Sequence, residues 1–176
     1  MRTKRVFGLA VAATAGLLLA GCGGGQSAEP SAAPPPAKDV FQNFDPCAAL
    51  SPEEIQSFGA SPEPIPNDLG IGEAGCDYQG EGLIFGVLEA PENDKAYWEG
   101  QRGQFDSFVP NQVGTHEGFV GIVLGGTGQG VCRQMMYVGS GSVIVDITLS
   151  SNAIEGRDPC AEAMKIAEVV ETRLPA

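Results

Sequence analysis

The placement of its cysteines constrains this chain more than any other feature. Four of them, Cys47, Cys76, Cys132 and Cys160, stand far apart, and a fifth, Cys22, lies near the start. No two are spaced C-x-x-C, so neither a zinc site nor a thioredoxin-like redox pair is expected. Distant cysteines pair as disulfides where the surroundings are oxidising, so the first residues, which speak to export, decide their fate. Arg2, Lys4 and Arg5 precede a run from Val6 to Ala20 that is apolar or small throughout. The run has 15 residues, short of the roughly 20 that span a bilayer. A basic head, a short apolar middle and the small pair Ala20-Gly21 predict a secretory signal peptide over residues 1–21.

The segment Leu19-Ala20-Gly21-Cys22 resembles the lipobox of bacterial lipoproteins. That resemblance implies cleavage between Gly21 and Cys22 and a diacylglyceryl group on the Cys22 sulfur. The product would be anchored on the extracytoplasmic face of the cell membrane. Two or more acyl chains hold a protein firmly, since each buried methylene contributes about 0.8 kcal/mol. Residues 22–39, with Gly23-Gly24-Gly25 and Pro34-Pro35-Pro36, hold no large apolar side chain. They cannot bury a core and read as a flexible linker.

Residues 40–176 form one domain of ordinary size. Without Arg2, Lys4 and Arg5, seven basic residues face 22 acidic ones, a formal charge of −15. Nucleic acid and anionic lipid headgroups would be repelled by such a surface. The membrane is therefore expected as a partner only through the anchor. With Cys22 assigned to lipid, the even number left predicts two disulfides.

Local patterns give the elements. Ser51-Pro52-Glu53-Glu54 is a capping box with Pro at the first helical position, predicting a helix to about Phe58 that Gly59 stops. Ser61 to Gly75 reads as loop. A strand through Cys76-Asp77-Tyr78 leads through the turn Gly80-Glu81-Gly82 to a buried strand over Leu83–Glu89. Pro91-Glu92-Asn93-Asp94 looks like a helix start, and Tyr97, Trp98, Gln101, Phe105 and Phe108 recur at helical spacing. Phe119–Leu124 reads as a strand and Gly125–Gly130 as a mobile loop. Val131–Val138 and Val143–Leu149 predict a hairpin around residues 139–142. Asp158-Pro159-Cys160 opens a last helix whose stripe is Ala163, Ile166, Ala167, Val170 and Leu174. The fold class is α+β: a mostly antiparallel sheet of four to five strands against about three helices, stapled by two disulfides. In that hairpin Cys132 lies opposite the region of Leu149, with Cys160 a short loop further on. Cys47 precedes Cys76 across one helix and one loop. This favours Cys47–Cys76 with Cys132–Cys160, and leaves Cys47–Cys160 with Cys76–Cys132 as the alternative.

Together, D-P-C-A-A-L-S-P-E-E-I, G-C-D-Y, the late cysteine strand, D-P-C-A-E-A and the closing R-L-P resemble the actinobacterial lipoproteins called domain of unknown function 3558. The resemblance covers nearly all of the chain after the signal. Its motifs concern the framework, and it implies no reaction and no catalytic residues. The family usually carries an aromatic residue, often Trp, two places after the second cysteine; here it is Tyr78.

Chemistry is sparse. His116 is the only histidine, and no serine sits in a G-x-S-x-G elbow. An envelope hydrolase would have to use His116. Gly125-Gly126-Thr127-Gly128-Gln129-Gly130 lacks the Gly-Lys-Ser/Thr ending of a phosphate loop. Glu92, Asn93 and Asp94 lack EF-hand spacing and read as acids complementing a helix N-terminus. No metal or cofactor is expected. Two adjacent aromatics cannot both point inward, so Tyr97 or Trp98 is expected to reach a groove or a partner. Three functions follow in order. The first is a non-catalytic binding or interaction module of the envelope, its partner a protein or wall component. The second is a carrier of an apolar or lipid ligand held between the aromatic helix and the sheet. The third is a hydrolase.

Overall fold

The computed structural model describes residues 40–175. The expected signal peptide, Gly21, Cys22 and the linker lie outside the described residues. Seven strands form one sheet: β1 (Ile65–Asp68), β2 (Ala74–Gly80), β3 (Leu83–Ala90), β4 (Phe105–Val113), β5 (His116–Val123), β6 (Val131–Val138) and β7 (Gly141–Leu149). Their spatial order is β1-β2-β3-β7-β6-β5-β4, and every pairing is antiparallel. Among the described residues three α-helices accompany it: α1 (Pro52–Ser57), α2 (Lys95–Gly100) and α3 (Pro159–Glu171).

The sheet thus has seven strands, where four to five were expected. One addition is β1, inside the segment read as loop. It is a four-residue edge strand, and its Pro66 is tolerated there because one side of an edge strand is unpaired. The other is β4, whose first residues overlap the segment read as helix. A bulge between Phe105 and Ser107 adds one residue to the strand, and a bulge changes which side chains share a face. Phe105 and Phe108 therefore pack into one cluster, although their spacing of three mimics a helical stripe. The aromatic helix is correspondingly short and ends at Gly100.

The helix starts follow the sequence. Ser51 Oγ accepts the Glu54 N–H at 3.2 Å, and the Glu54 carboxylate accepts the Ser51 N–H at 2.8 Å. Asp158 caps α3 at the N–H groups of Cys160 and Ala161. On α3, Ala163, Ile166, Ala167 and Val170 are buried, whereas Leu174, expected in the same stripe, lies past the helix end. That stripe covers one face of the sheet, where Tyr78, Phe85, Val87, Met136, Val143, Val145 and Ile147 form the main core. Both disulfides, Cys47–Cys76 and Cys132–Cys160, are tied into this core. Their sequence separations are 29 and 28 residues, worth about 3–4 kcal/mol each in the chain-entropy model. The β6–β7 turn is tighter than expected: Val138 pairs with Gly141, leaving only Gly139 and Ser140 outside the ladder. Gly139 has φ +60°, the conformation that two-residue hairpins need. The tighter turn moves Cys132 opposite Ile147 rather than Leu149.

The opposite face of the sheet is read most easily along β7, where Ser142, Ile144, Asp146 and Thr148 alternate with the core residues. Ser142 faces Ala90 and Tyr137 across the ladder; Ile144 faces Leu88 and Met135; Asp146 faces Gly86 and Arg133; Thr148 faces Ile84 and Val131. Residues opposite one another in an antiparallel pair share a face.

Candidate functional site: a groove beside the aromatic helix

Asp94 caps α2, its carboxylate accepting the Tyr97 N–H at 2.8 Å. That is the role expected of the acids at the helix start, here filled by Asp94. The two adjacent aromatics then part. Trp98 is 4% exposed, and its indole N–H donates to Ser142 Oγ at 2.9 Å and to the Asn93 carbonyl at 3.1 Å. It packs on Phe105 and Phe119 with ring centroids 6.4 and 6.0 Å away, above Leu88, Met135 and Ile144. Trp98 is an anchor of a second core. Tyr97, 40% exposed, stands outside it.

Between α2 and strands β4, β5 and β6 runs a groove of about 570 Å³. Lys95 and Glu99 form its helical wall, Pro110 and Gln112 the wall on β4, and Glu117 and Tyr137 come from β5 and β6. Neither Tyr97 nor Trp98 lines it. The charges pair: Lys95 Nζ lies 2.7 Å from Glu117 Oε2, and Arg102 Nε lies 2.8 Å from Glu99 Oε2. Hydrogen bonding to Arg102 holds Glu99 below its ordinary range, and Glu117 lifts Lys95 above its own. The Arg102 guanidinium also sits 4.2 Å over the Phe108 ring. Burial, and after it the charge of Glu99, pushes the Tyr137 phenol up to about 12. It stays protonated at neutral pH and can donate a hydrogen bond.

His116 lies elsewhere, and no residue of the groove is a histidine, cysteine or serine. Its ring is 9% exposed, with Nδ1 3.0 Å from Glu171 Oε1 and Nε2 3.1 Å from the Pro175 carbonyl. Glu171 also accepts the Thr115 N–H at 2.9 Å and the Thr115 hydroxyl at 3.1 Å. The Thr115 N–H foremost, then His116, holds the Glu171 carboxyl below the usual range. This junction fastens the β4–β5 turn to the end of α3. Gly114 has φ +54°, a left-handed conformation that favours glycine, and it leaves room for the Glu171 carboxylate. The Gly125–Gly130 segment, expected to be mobile, is a hydrogen-bonded turn. Asp106 accepts from the Thr127 N–H and hydroxyl at 3.2 and 2.9 Å.

Residues 17–173 match the family described as protein of unknown function (DUF3558). The chain belongs to that family. No curated protein and no solved structure matches it. The resemblance drawn from the sequence motifs thus holds at the level of the family, and those motifs sit where they build the DUF3558 framework. Cys47 and Cys76 of D-P-C and G-C-D-Y are bonded to each other, and Tyr78 donates its hydroxyl proton to the Cys47 carbonyl at 2.9 Å. The aromatic position after the second cysteine therefore supports the disulfide from within the core. The Cys160 of D-P-C-A-E-A is bonded to Cys132.

Sequence reasoning missed one group. Arg133 lies within the apolar strand β6, between Asp146 and Glu73. Its Nε is 2.6 Å from Asp146 Oδ1, and its Nη2 is 2.9 Å from Asp146 Oδ2 and 2.6 Å from Glu73 Oε2. Glu73 is only 2% exposed. Burial works against the Arg133 charge, yet Asp146 and Glu73 hold it above the ordinary guanidinium range. The signal was a lone cation in Val131-Cys132-Arg133-Gln134-Met135, a setting that demands a buried partner.

Proposed function

We propose that this DUF3558 protein is a non-catalytic binding module of the cell envelope. In this reading it is anchored on the extracytoplasmic side through lipidated Cys22, and its α2 groove is the ligand-facing surface. No described helix is long and apolar enough to cross a membrane, and the anchor in this reading is the acyl group on Cys22. The observation that carries the proposal is the groove itself. It is a concavity of about 570 Å³ on the second face, its wall charges are neutralised in pairs, and it holds a protonated phenol. Those are means of holding a polar partner rather than of attacking one.

Two other expectations find less support. A carrier needs room between the aromatic helix and the sheet, and Trp98, Phe105, Phe119 and Met135 occupy that interval. A hydrolase needs His116 within reach of a substrate, and that ring is engaged with Glu171 and Pro175 away from the groove.

The test is site-specific photo-crosslinking in intact cells, with the probe at Gln112 in the groove and a control probe at Glu63. A discrete adduct from position 112 that is absent from position 63 supports the reading. No adduct above the control overturns it. Palmitate incorporation into the wild type and not into Cys22→Ser tests the anchor separately.

A further inference from the structure

The groove occupies one half of the second sheet face, and over the other half the described chain lays only the Leu69–Glu73 loop. Large apolar side chains are exposed around it: Ile71 at 62%, Leu69 at 48%, Ile65 at 47%, Ile84 at 42% and Val123 at 37%. Ile84 and Ile65 stand on the sheet itself, while Leu69 and Ile71 belong to the loop joining β1 to β2. Leu69, Ile71 and Val123 line a shallow hollow of about 250 Å³, floored by Arg133 with Glu73 and Asp146. A run of exposed apolar groups around a built hollow is unlike scattered surface leucines and marks a contact surface.

Charge says what the surface fits. One transverse row runs Ile65, Asp77, Gly86, Asp146, Arg133, Gly121. Gly86 leaves room for the Asp77 carboxylate, since a Cβ there would lie 2.6 Å from Asp77 Oδ1. Asp146 and Glu73 engage Arg133, the only cation of the row and of the hollow, while Asp77 stands further along the row, both its oxygens accepting from Asn67 Nδ2 at 3.0 Å. The face is apolar and net negative. A second copy would bring like charges against it, and an anionic lipid surface would be repelled.

We infer that the bare half of the second face docks a protein segment in which Lys or Arg side chains stand among large apolar ones. The apolar groups fill the hollow between Leu69, Ile71 and Val123. The cations reach the outer oxygens of Asp146 and Asp77, which can accept beyond their present partners. This docking surface is independent of the α2 groove and of the reading built on it.

The test uses the full-length chain and three synthetic peptides of equal length: one of Lys and Leu in amphipathic order, one with Glu for Lys, and one with Ser for Leu. Titration calorimetry is run on the wild type, on Leu69→Ser/Ile71→Ser, and on Gln112→Ala in the other groove. The Lys/Leu peptide is expected to bind the wild type and Gln112→Ala alike. It should bind Leu69→Ser/Ile71→Ser at least roughly tenfold more weakly, a difference of about 1.4 kcal/mol. The Glu/Leu and Lys/Ser peptides should not bind. Equal affinity of the Lys/Leu peptide for the double variant overturns the proposal, because binding then does not use this surface. Equal affinity of the Lys/Ser peptide also overturns it, because charge alone then suffices. Both substituted residues are exposed, and retention of the wild-type unfolding midpoint shows that the variant is folded.

Discussion

Ser142 and Ile144 in β7 are fully buried, whereas two residues further Asp146 is half-buried and Thr148 is exposed. All four point to the same side of the same strand. On the other side, Val143, Val145, Ile147 and Leu149 are buried throughout. The two halves of the second face therefore differ in what the chain lays over them. Over the first half it places α2, and Trp98 closes an aromatic cluster. Over the second half only the Leu69–Glu73 loop reaches the sheet, and a buried guanidinium between two carboxylates takes the place of apolar packing. One half is held by shape and the other by charge, and the second leaves the aliphatic side chains of Ile65, Leu69, Ile71 and Ile84 in water.

The comparison breaks first at Trp98. Trp98→Ala removes the closing side chain and two hydrogen bonds, with an expected cost of about 3–5 kcal/mol in urea unfolding. A cost below about 1 kcal/mol would mean that the covered half is not held by this residue. Arg133→Met tests the other half. It leaves Glu73 buried without a partner and should cost roughly 3 kcal/mol, the scale of breaking a buried pair. Adding Glu73→Gln should recover part of that loss; no recovery would show that charge is not what holds this half.

A pH titration sharpens the contrast. The Tyr137 phenol ionises near pH 12 in the fold against an ordinary value of 10.0. Folding disfavours its ionised form, so the native state loses relative stability as pH rises above 10.0. Tyr137→Phe should flatten that loss, read from unfolding midpoints and from the phenolate absorbance of the wild type; an unchanged slope would remove Tyr137 from the account. The smallest effect is expected at Ile71. Ile71→Ser should leave stability within about 0.5 kcal/mol of wild type, because the side chain already lies in water. A larger cost would mean that the bare half is packed in solution.

The contrast was only partly legible in the sequence. Side chains that hydrogen-bond their own neighbourhood were readable, which is why the box at Ser51 and the cap at Asp158 appear where their motifs place them. The pairing of Cys132 with Cys160 is the one that the β6–β7 hairpin favoured over its alternative, even though the register shifted with the tighter turn. What failed depended on pairing and packing that the local composition does not show. The segment holding β1 has the composition of a loop, and pairing with β2 makes it a strand. Phe105 and Phe108 carry a helical spacing that a bulge reproduces. The pair Tyr97 and Trp98 announced that one would turn outward, and the position of Ser142, 44 residues later, decided which. Arg133 was visible as an oddity in its strand, but Glu73 is 60 residues away and nothing near either residue announces the other.

Each outer strand of the sheet carries a proline, Pro66 in β1 and Pro110 in β4. A proline offers no N–H to an incoming strand, so neither border is a clean template for another chain. For copies that the proposed lipid anchor would crowd into a plane, this hinders zippering into ribbons, and neighbours could stay separate at local concentrations that drive unguarded sheets to aggregate.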